Sequence, residues 1–239
     1  MVNRIQLKDI LFLDIETVPE VADFTELDEN KRLLFEKKTA YQRKEEIPVA
    51  DFYERAGIWA EFGKIICISV GNLIMNNNRL LFRTKSFYGE DEKLILMEFK
   101  KLLDSHFSGP QHLLCAHNGK EFDYPYIARR MVINGLELPD KLNLFGKKPW
   151  EVPHLDTMEM WKFGDNKHYT SLDLLTNILG IHSPKQDIDG SQVAKVYYKD
   201  KDLKRIVEYC ERDTLAVAQV YLRFMQQPAL TGEQIISVS

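Results

Sequence analysis

The sequence predicts an α/β fold, a central mixed β-sheet flanked by α-helices. Short apolar runs of strand length, Ile10-Leu11-Phe12-Leu13, Ile65 to Val70 and His112 to Ala116, are spread through the chain. Longer stretches with helical apolar spacing lie between and after them. No repeat, low-complexity segment or linker-like stretch interrupts the 239 residues, so strands and helices are expected to mix in one domain over 1–239.

The elements are expected in this order. Residues 10–16 form the first strand, ending at Asp14-Ile15-Glu16. Residues 20–61 are a charged helical insert with a helix near 28–44, where Lys31 to Lys44 carry most of the charge. Ile65 to Gly71 is a second apolar strand, Asn76-Asn77-Asn78 a turn, and Leu80-Leu81-Phe82 the opening of a third strand, which makes an antiparallel start. Glu92 to Leu103 repeats Leu94, Ile95, Phe99 and Leu102 at helical spacing. His112 to Ala116 is a short buried strand, and Phe122 to Asn134 a helix stopped by Gly135. Residues 136–153, rich in Pro, Gly and Lys, read as a loop. Leu172 to Leu179 is a helix with Thr170 and Asp173 in capping-box spacing. Asp202 to Phe224 is the last long helix, and residues 228–239 are expected to be a flexible, frayed tail.

Composition narrows the function. Hydrophobic residues make up 44% and aromatics 11%, which indicates a packed core. The apolar runs are too short to span a bilayer, and the N-terminus has no secretory apolar region. Cys67, Cys115 and Cys210 are odd in number and each lies among apolar residues, so buried thiols in a cytoplasmic protein are expected. A net charge of −4 argues against duplex binding through the backbone alone, but not against a few nucleotides held in a metal-charged cleft.

Three segments carry acids in unusual company. Strand alternation sends Asp14 and Glu16 to one face, where two adjacent carboxylates repel unless a cation lies between them. The plainer alternative is a strand ending in two solvated acids. Asp123 follows His117-Asn118-Gly119-Lys120-Glu121-Phe122 at a helix start, where it either points back to the sheet edge or only caps the helix above Pro125. Asp213 lies on the margin of the apolar stripe of the last helix, with Tyr209 one turn before it. It is either a partnered buried acid or a surface acid beside Arg212.

These segments together resemble the DEDD 3′–5′ exonucleases of the RNase H-like superfamily. More narrowly, the chain is similar to the tyrosine-containing (DEDDy) subgroup related to the proofreading exonuclease domain of family-B DNA polymerases. The resemblance rests on Leu11-Phe12-Leu13-Asp14-Ile15-Glu16-Thr17, on Asn118-x-x-x-Phe122-Asp123 and on Tyr209-x-x-x-Asp213, in order, and covers about Asp9 to Leu222. Lys64 to Ser69, Ser171 to Leu175 and Asp189-Gly190-Ser191 also look like family elements.

The resemblance implies an RNase H-like fold and two divalent ions, Mg²⁺ or Mn²⁺, about 4 Å apart on Asp14, Glu16, Asp123 and Asp213. It assigns Asp14 to both ions, Glu16 and Asp213 to the ion carrying the nucleophile, and Asp123 to the second largely through water. Tyr209 then orients the attacking water, since a phenol titrating near pH 10 is a poor base. Tyr in that place separates the chain from the oligoribonuclease-like subgroup. Thr17, Asn118 and Phe122 are the implied substrate contacts, although Phe122 can also be plain core. His117, His154 and His168 read as polar turn or strand-end residues. Asp156 reads as a helper of the site or a helix cap. Phe52, Tyr53, Trp59 and Phe62 can stack bases or cover the core edge, and the lysines at 31–44 and 147–148 can contact phosphate or solvent.

The expected activity is removal of nucleoside 5′-monophosphates from the 3′ end of single-stranded nucleic acid, DNA favoured over RNA. A sequence without a polymerase region implies that this activity works in trans, or in repair or turnover. The alternatives are an exoribonuclease of the same fold, a catalytically silent nucleic-acid-binding scaffold, and a partner-binding domain that uses the charged insert.

Overall fold

Three apolar runs and one long amphipathic helix organise the chain. The computed structural model describes residues 5–43, 47–165, 169–181 and 188–238. Strand β1 covers Ile10–Pro19, followed by helices α1 (Glu29–Thr39) and α2 (Val49–Phe52). Strands β2 (Gly63–Asn76) and β3 (Arg79–Tyr88) precede α3 (Glu92–His106) and β4 (Leu113–Ala116). Then come α4 (Asp123–Ile133), β5 (Leu155–Asp156), α5 (Thr157–Lys162), α6 (Leu172–Ile178), α7 (Val193–Lys195), α8 (Leu203–Phe224) and β6 (Ile235–Ser237).

The described strands form a six-stranded mixed sheet in the order β5-β4-β1-β2-β3-β6. The pairs β1/β2 and β2/β3 are antiparallel, and β4/β1, β5/β4 and β6/β3 are parallel. Helices cover both faces, which is why β1 is apolar on both sides. Leu11, Leu13 and Ile15 pack with Ile95, Phe99 and Ile127 on one face. Ile10 and Phe12 pack with Val217 and Tyr221 of α8 on the other, and the Phe12 and Tyr221 rings meet edge-on at 5.7 Å.

Local chemistry explains the turns. Asn77 and Asn78 have φ of 47° and 59°, the left-handed pair that a two-residue hairpin needs between β2 and β3. Gly135 takes φ of 67° just past α4, where a side chain would be strained. The β1/β2 register shifts between Glu16 and Thr17, because Glu16 faces Cys67 while Thr17 faces Ile65. This bulge lets the consecutive Ile66 and Cys67 both pack toward α8.

Several expectations are corrected. The first helix of the insert ends at Thr39, well short of residue 44. Phe35 inside it seats a ring cluster with Phe24, Tyr53, Trp59 and Phe62, at centroid distances of 6.0, 5.3, 5.9 and 5.1 Å. Those rings cover the core edge. Ser171, not Thr170, caps α6, its Oγ accepting the Leu174 N–H at 3.2 Å. The tail after Pro228 has a defined path instead of a frayed one. Gln219 holds Leu230 through both its amide groups, at 2.9 and 3.0 Å, and Ile235–Ser237 adds a parallel strand to β3. Among the described residues no helix is long and apolar enough to cross a membrane.

Candidate active site

The bulged end of β1 faces the middle of α8. Carboxylate oxygens of Asp14 and Glu16 and the Cys210 sulfur all lie within 4.8 Å of one another. Asp213, one turn beyond Tyr209 on α8, is hydrogen-bonded to the Tyr209 hydroxyl. Asp123 is the first residue of α4, whose N-cap position belongs to Phe122, so it does not serve as that helix's cap. The backbone N–H of Ile15 acts to lower the titration of the buried Asp123 carboxyl, which places α4's first residue beside the strand between the first two acids. The structure thus brings Asp14, Glu16, Asp123, Tyr209 and Asp213 to one place.

Electrostatics follow from that convergence. Burial, then the charges of Glu16, Asp213 and Asp123, hold the Asp14 carboxyl well above its ordinary range. Burial, then Asp213, raises Glu16 likewise. Burial pushes Asp123 up to about 7 and Asp213 to about 6, the latter opposed by its bond to Tyr209. Tyr209 is raised far above an ordinary phenol by burial and by Asp213, Glu16 and Asp14.

The partners of the site are more than the sequence names. The Cys210 thiol, its titration raised by burial, donates to the Asp14 carbonyl at 3.3 Å and clips α8 to β1. Asp156 caps α5 through the N–H groups of Met158 and Glu159, and also accepts those of Asn118 and Lys120 at 3.0 Å each. It therefore shapes the loop before Asp123 and is both of the roles expected of it. Gly119 in that loop is required, since a Cβ there would lie 2.5 Å from the Ala116 Cβ. Asp173 of α6 acts on Asp213, an effect carried by the fold and without a signal in the motif spacing.

The other expected residues fall as follows. Asn118 has φ of 62°, and its Oδ1 is buried without a hydrogen-bond partner. Phe122 is half-buried, against Tyr126 at 5.2 Å and the core edge. Thr17 donates its hydroxyl to the Gly57 carbonyl at 2.8 Å, which also accepts Tyr126 Oη at 2.7 Å, so its side chain anchors the insert. His117 is held between Thr157 Oγ1 (2.9 Å) and the Thr170 carbonyl (2.8 Å), and burial lowers its titration. His154 accepts the Leu114 N–H and donates to the Lys141 carbonyl, with burial lowering it to about 4. Both are structural neutral imidazoles. His168 lies outside the described residues. Lys31 and Lys38 pair with Glu20 and Glu61, and Lys148 lies over the Trp150 ring at 5.3 Å.

The donor set fits hard divalent cations. Three carboxylates act through charge on Asp14, and Asp213 acts most on Glu16, ahead of the Cys67 thiol and Asp123; carboxylate oxygens suit Mg²⁺ or Mn²⁺.

Residues 58–235 match the model of a family described as a predicted 3′–5′ exonuclease related to the exonuclease domain of PolB. That range holds the Asn118, Asp123, Tyr209 and Asp213 segments and begins after Asp14 and Glu16. No curated protein matches the sequence. The fold is similar to part of the family B DNA polymerase from the hyperthermophilic archaeon Pyrobaculum calidifontis, with a TM-score of 0.54 and 18% identity over 90% of this chain and 25% of that one. The chain thus spans about a quarter of that polymerase's length. The sheet order and flanking helices are those of an RNase H-like fold.

Proposed function

The chain belongs to the predicted 3′–5′ exonucleases related to the exonuclease domain of PolB, and we propose that it hydrolyses phosphodiester bonds at the 3′ end of single-stranded DNA to release nucleoside 5′-monophosphates. The observation that carries this reading is the convergence of four acids, each raised in titration by burial and two of them, Asp14 and Glu16, also by the charge of the others.

Asp14, Glu16, Asp123 and Asp213 would hold two divalent ions, Mg²⁺ or Mn²⁺, which supply Lewis acidity and an activated water when bound. The remaining work belongs to the chain's own groups. Tyr209 stays a neutral phenol at working pH, so it orients a water by hydrogen bonding and takes no proton. Donation of its O–H to Asp213 fixes its ring and leaves the hydroxyl oxygen's lone pairs as acceptors for the water. The Asn118 side-chain amide oxygen Oδ1, buried and unpartnered, offers an acceptor to the terminal nucleotide. Phe122, the residue before Asp123, and the Thr17 backbone, next after Glu16, are assigned to the same nucleotide. Cys210 holds Asp14 in register with α8.

The test is digestion of a 5′-labelled single-stranded DNA with Mg²⁺ or Mn²⁺, beside a matched RNA. The expected result is a ladder shortening from the 3′ end, abolished by EDTA and slowed roughly 10³-fold or more in Asp14→Ala. Undiminished activity in Asp14→Ala would overturn the site. Preferential digestion of the RNA would reassign the substrate.

A further inference from the structure

Beyond the acids, β1 runs on from Glu16 to Val18, whose side chain packs with Tyr209 and Val196. Lys64 is the β2 partner of Val18, so its side chain leaves the sheet on the face that α8 covers. There it meets a turn of π-helix, Val196–Asp200, closed by Lys201 at φ of 57°. Such turns are rare and are found disproportionately at functional sites. This one displays Tyr197 and Tyr198 edge to face at 4.9 Å, and the Tyr198 hydroxyl anchors it to the Pro19 carbonyl at 2.5 Å.

The two rings hold two ammonium groups. Lys64 Nζ lies 5.2 Å from the Tyr197 centroid and 5.5 Å from that of Tyr198, while Lys201 Nζ lies 5.9 Å from Tyr198. Burial is the largest influence against protonation of Lys64, and the charge of Lys201 adds a smaller one. Two cations held near one another over shared rings favour an anion, as crowded carboxylates favour a cation. Three acids also act on Lys64: Glu92, Glu90 and Glu20. Glu92 is already paired with Arg130, and Glu20 with Lys31 at 2.6 Å, so their charges are largely answered, which leaves Glu90, whose charge also reaches Tyr197, as the acid a phosphate competes with.

We propose that Lys64 and Lys201, mounted on Tyr197 and Tyr198, form a phosphate clamp for the single strand upstream of the bond being cut. This rests on the exonuclease reading. Val18 is four residues along β1 from Asp14, about 13 Å at strand rise. The clamp therefore engages an internal phosphate and not the scissile one. It gives a chain of net charge −4 the local positive site that a polyanionic substrate requires.

The experiment is fluorescence anisotropy of a labelled oligothymidylate about ten nucleotides long, in EDTA, across a salt series. Without divalent ions the acids contribute no favourable contact, so the binding read is that of the rest of the cleft. Each phosphate contact on a single strand contributes about 0.7 to the slope of log affinity against log salt. Lys201→Gln, an exposed change, is expected to lower the slope by about 0.7, and Lys64→Gln with Lys201→Gln by about 1.4. Tyr197→Ala is expected to weaken binding roughly 5-fold or more, and Lys64→Arg to retain it. Unchanged slopes in both lysine variants would overturn the clamp, even in a chain that digests DNA. Reduced slopes in a chain that digests nothing would keep the clamp and overturn the exonuclease reading.

Discussion

Tyr209 stands where a general base would be sought, but its surroundings forbid that role. Burial and three acids raise its phenol, so at neutral pH it has a proton to donate and a lone pair to offer. Removing the hydroxyl should therefore reduce turnover less than loss of a true base, which costs about 10²–10⁴-fold. Tyr209→Phe is expected to lower kcat on the order of 10- to 100-fold, with the alkaline limb of the pH profile unchanged and any shift confined to the acid limb, where Asp213 loses the bond that lowers it. A profile that loses its alkaline limb in Tyr209→Phe would show the phenol titrating and refute positioning. The acids that meet at this point are legible in sequence because their spacing is local: two residues on a strand for Asp14 and Glu16, one helical turn for Tyr209 and Asp213. The role of Cys210 escapes such reading, because its bond joins residues 196 positions apart, and for Asp156 the sequence offers the roles but not the loop partners, the nearest of which lies 36 positions away.

Helix α4 is fixed by a buried ion pair that also satisfies the sheet. Arg130 donates to both Glu92 oxygens and to the Ala60 carbonyl. Glu92 also accepts the Ile65 N–H at 2.7 Å and the Asn134 amide at 2.9 Å. One pair thereby joins α3, α4, β2 and the end of the insert. Arg130→Ala would leave the Glu92 charge buried, so a loss of about 3–5 kcal/mol in urea unfolding is expected. Replacing both partners, Glu92→Leu with Arg130→Met, should recover much of it, and a single-variant loss below about 1 kcal/mol would contradict the account. At this scale, local signals place elements well and ends poorly. The Asn77-Asn78 turn and the Gly135 stop are where their φ preferences put them. The Glu16/Thr17 bulge and strand β6 have no such mark: the bulge answers the packing of Ile66 and Cys67 under α8, and β6 depends on Gln219 binding Leu230.

The whole chain carries the cost of assembling four acids. Each titrates above its ordinary value when folded, with burial as the largest cause. Between the ordinary and the raised values the folded protein binds more protons than the unfolded chain, so its stability falls as pH rises. The contribution is full below the ordinary carboxylate range and is lost through about 6 at Asp213 and about 7 at Asp123. Divalent ions act in the opposite sense, because they bind the ionised carboxylates and stabilise the state that holds them. In EDTA, Tm is therefore expected to fall between about pH 5 and about pH 8, by about 2–4 °C for each kcal/mol lost. Mg²⁺ or Mn²⁺ should raise Tm at the upper end and have little effect at the lower, where protons occupy the ligands. Asp123→Asn removes one of the repelling charges, so in EDTA it should flatten the pH dependence and raise Tm at about pH 8, while weakening the response to metal. A Tm in EDTA that rises over this range, or a metal effect equal at both ends, would mean that these carboxylates do not titrate as a crowded buried group.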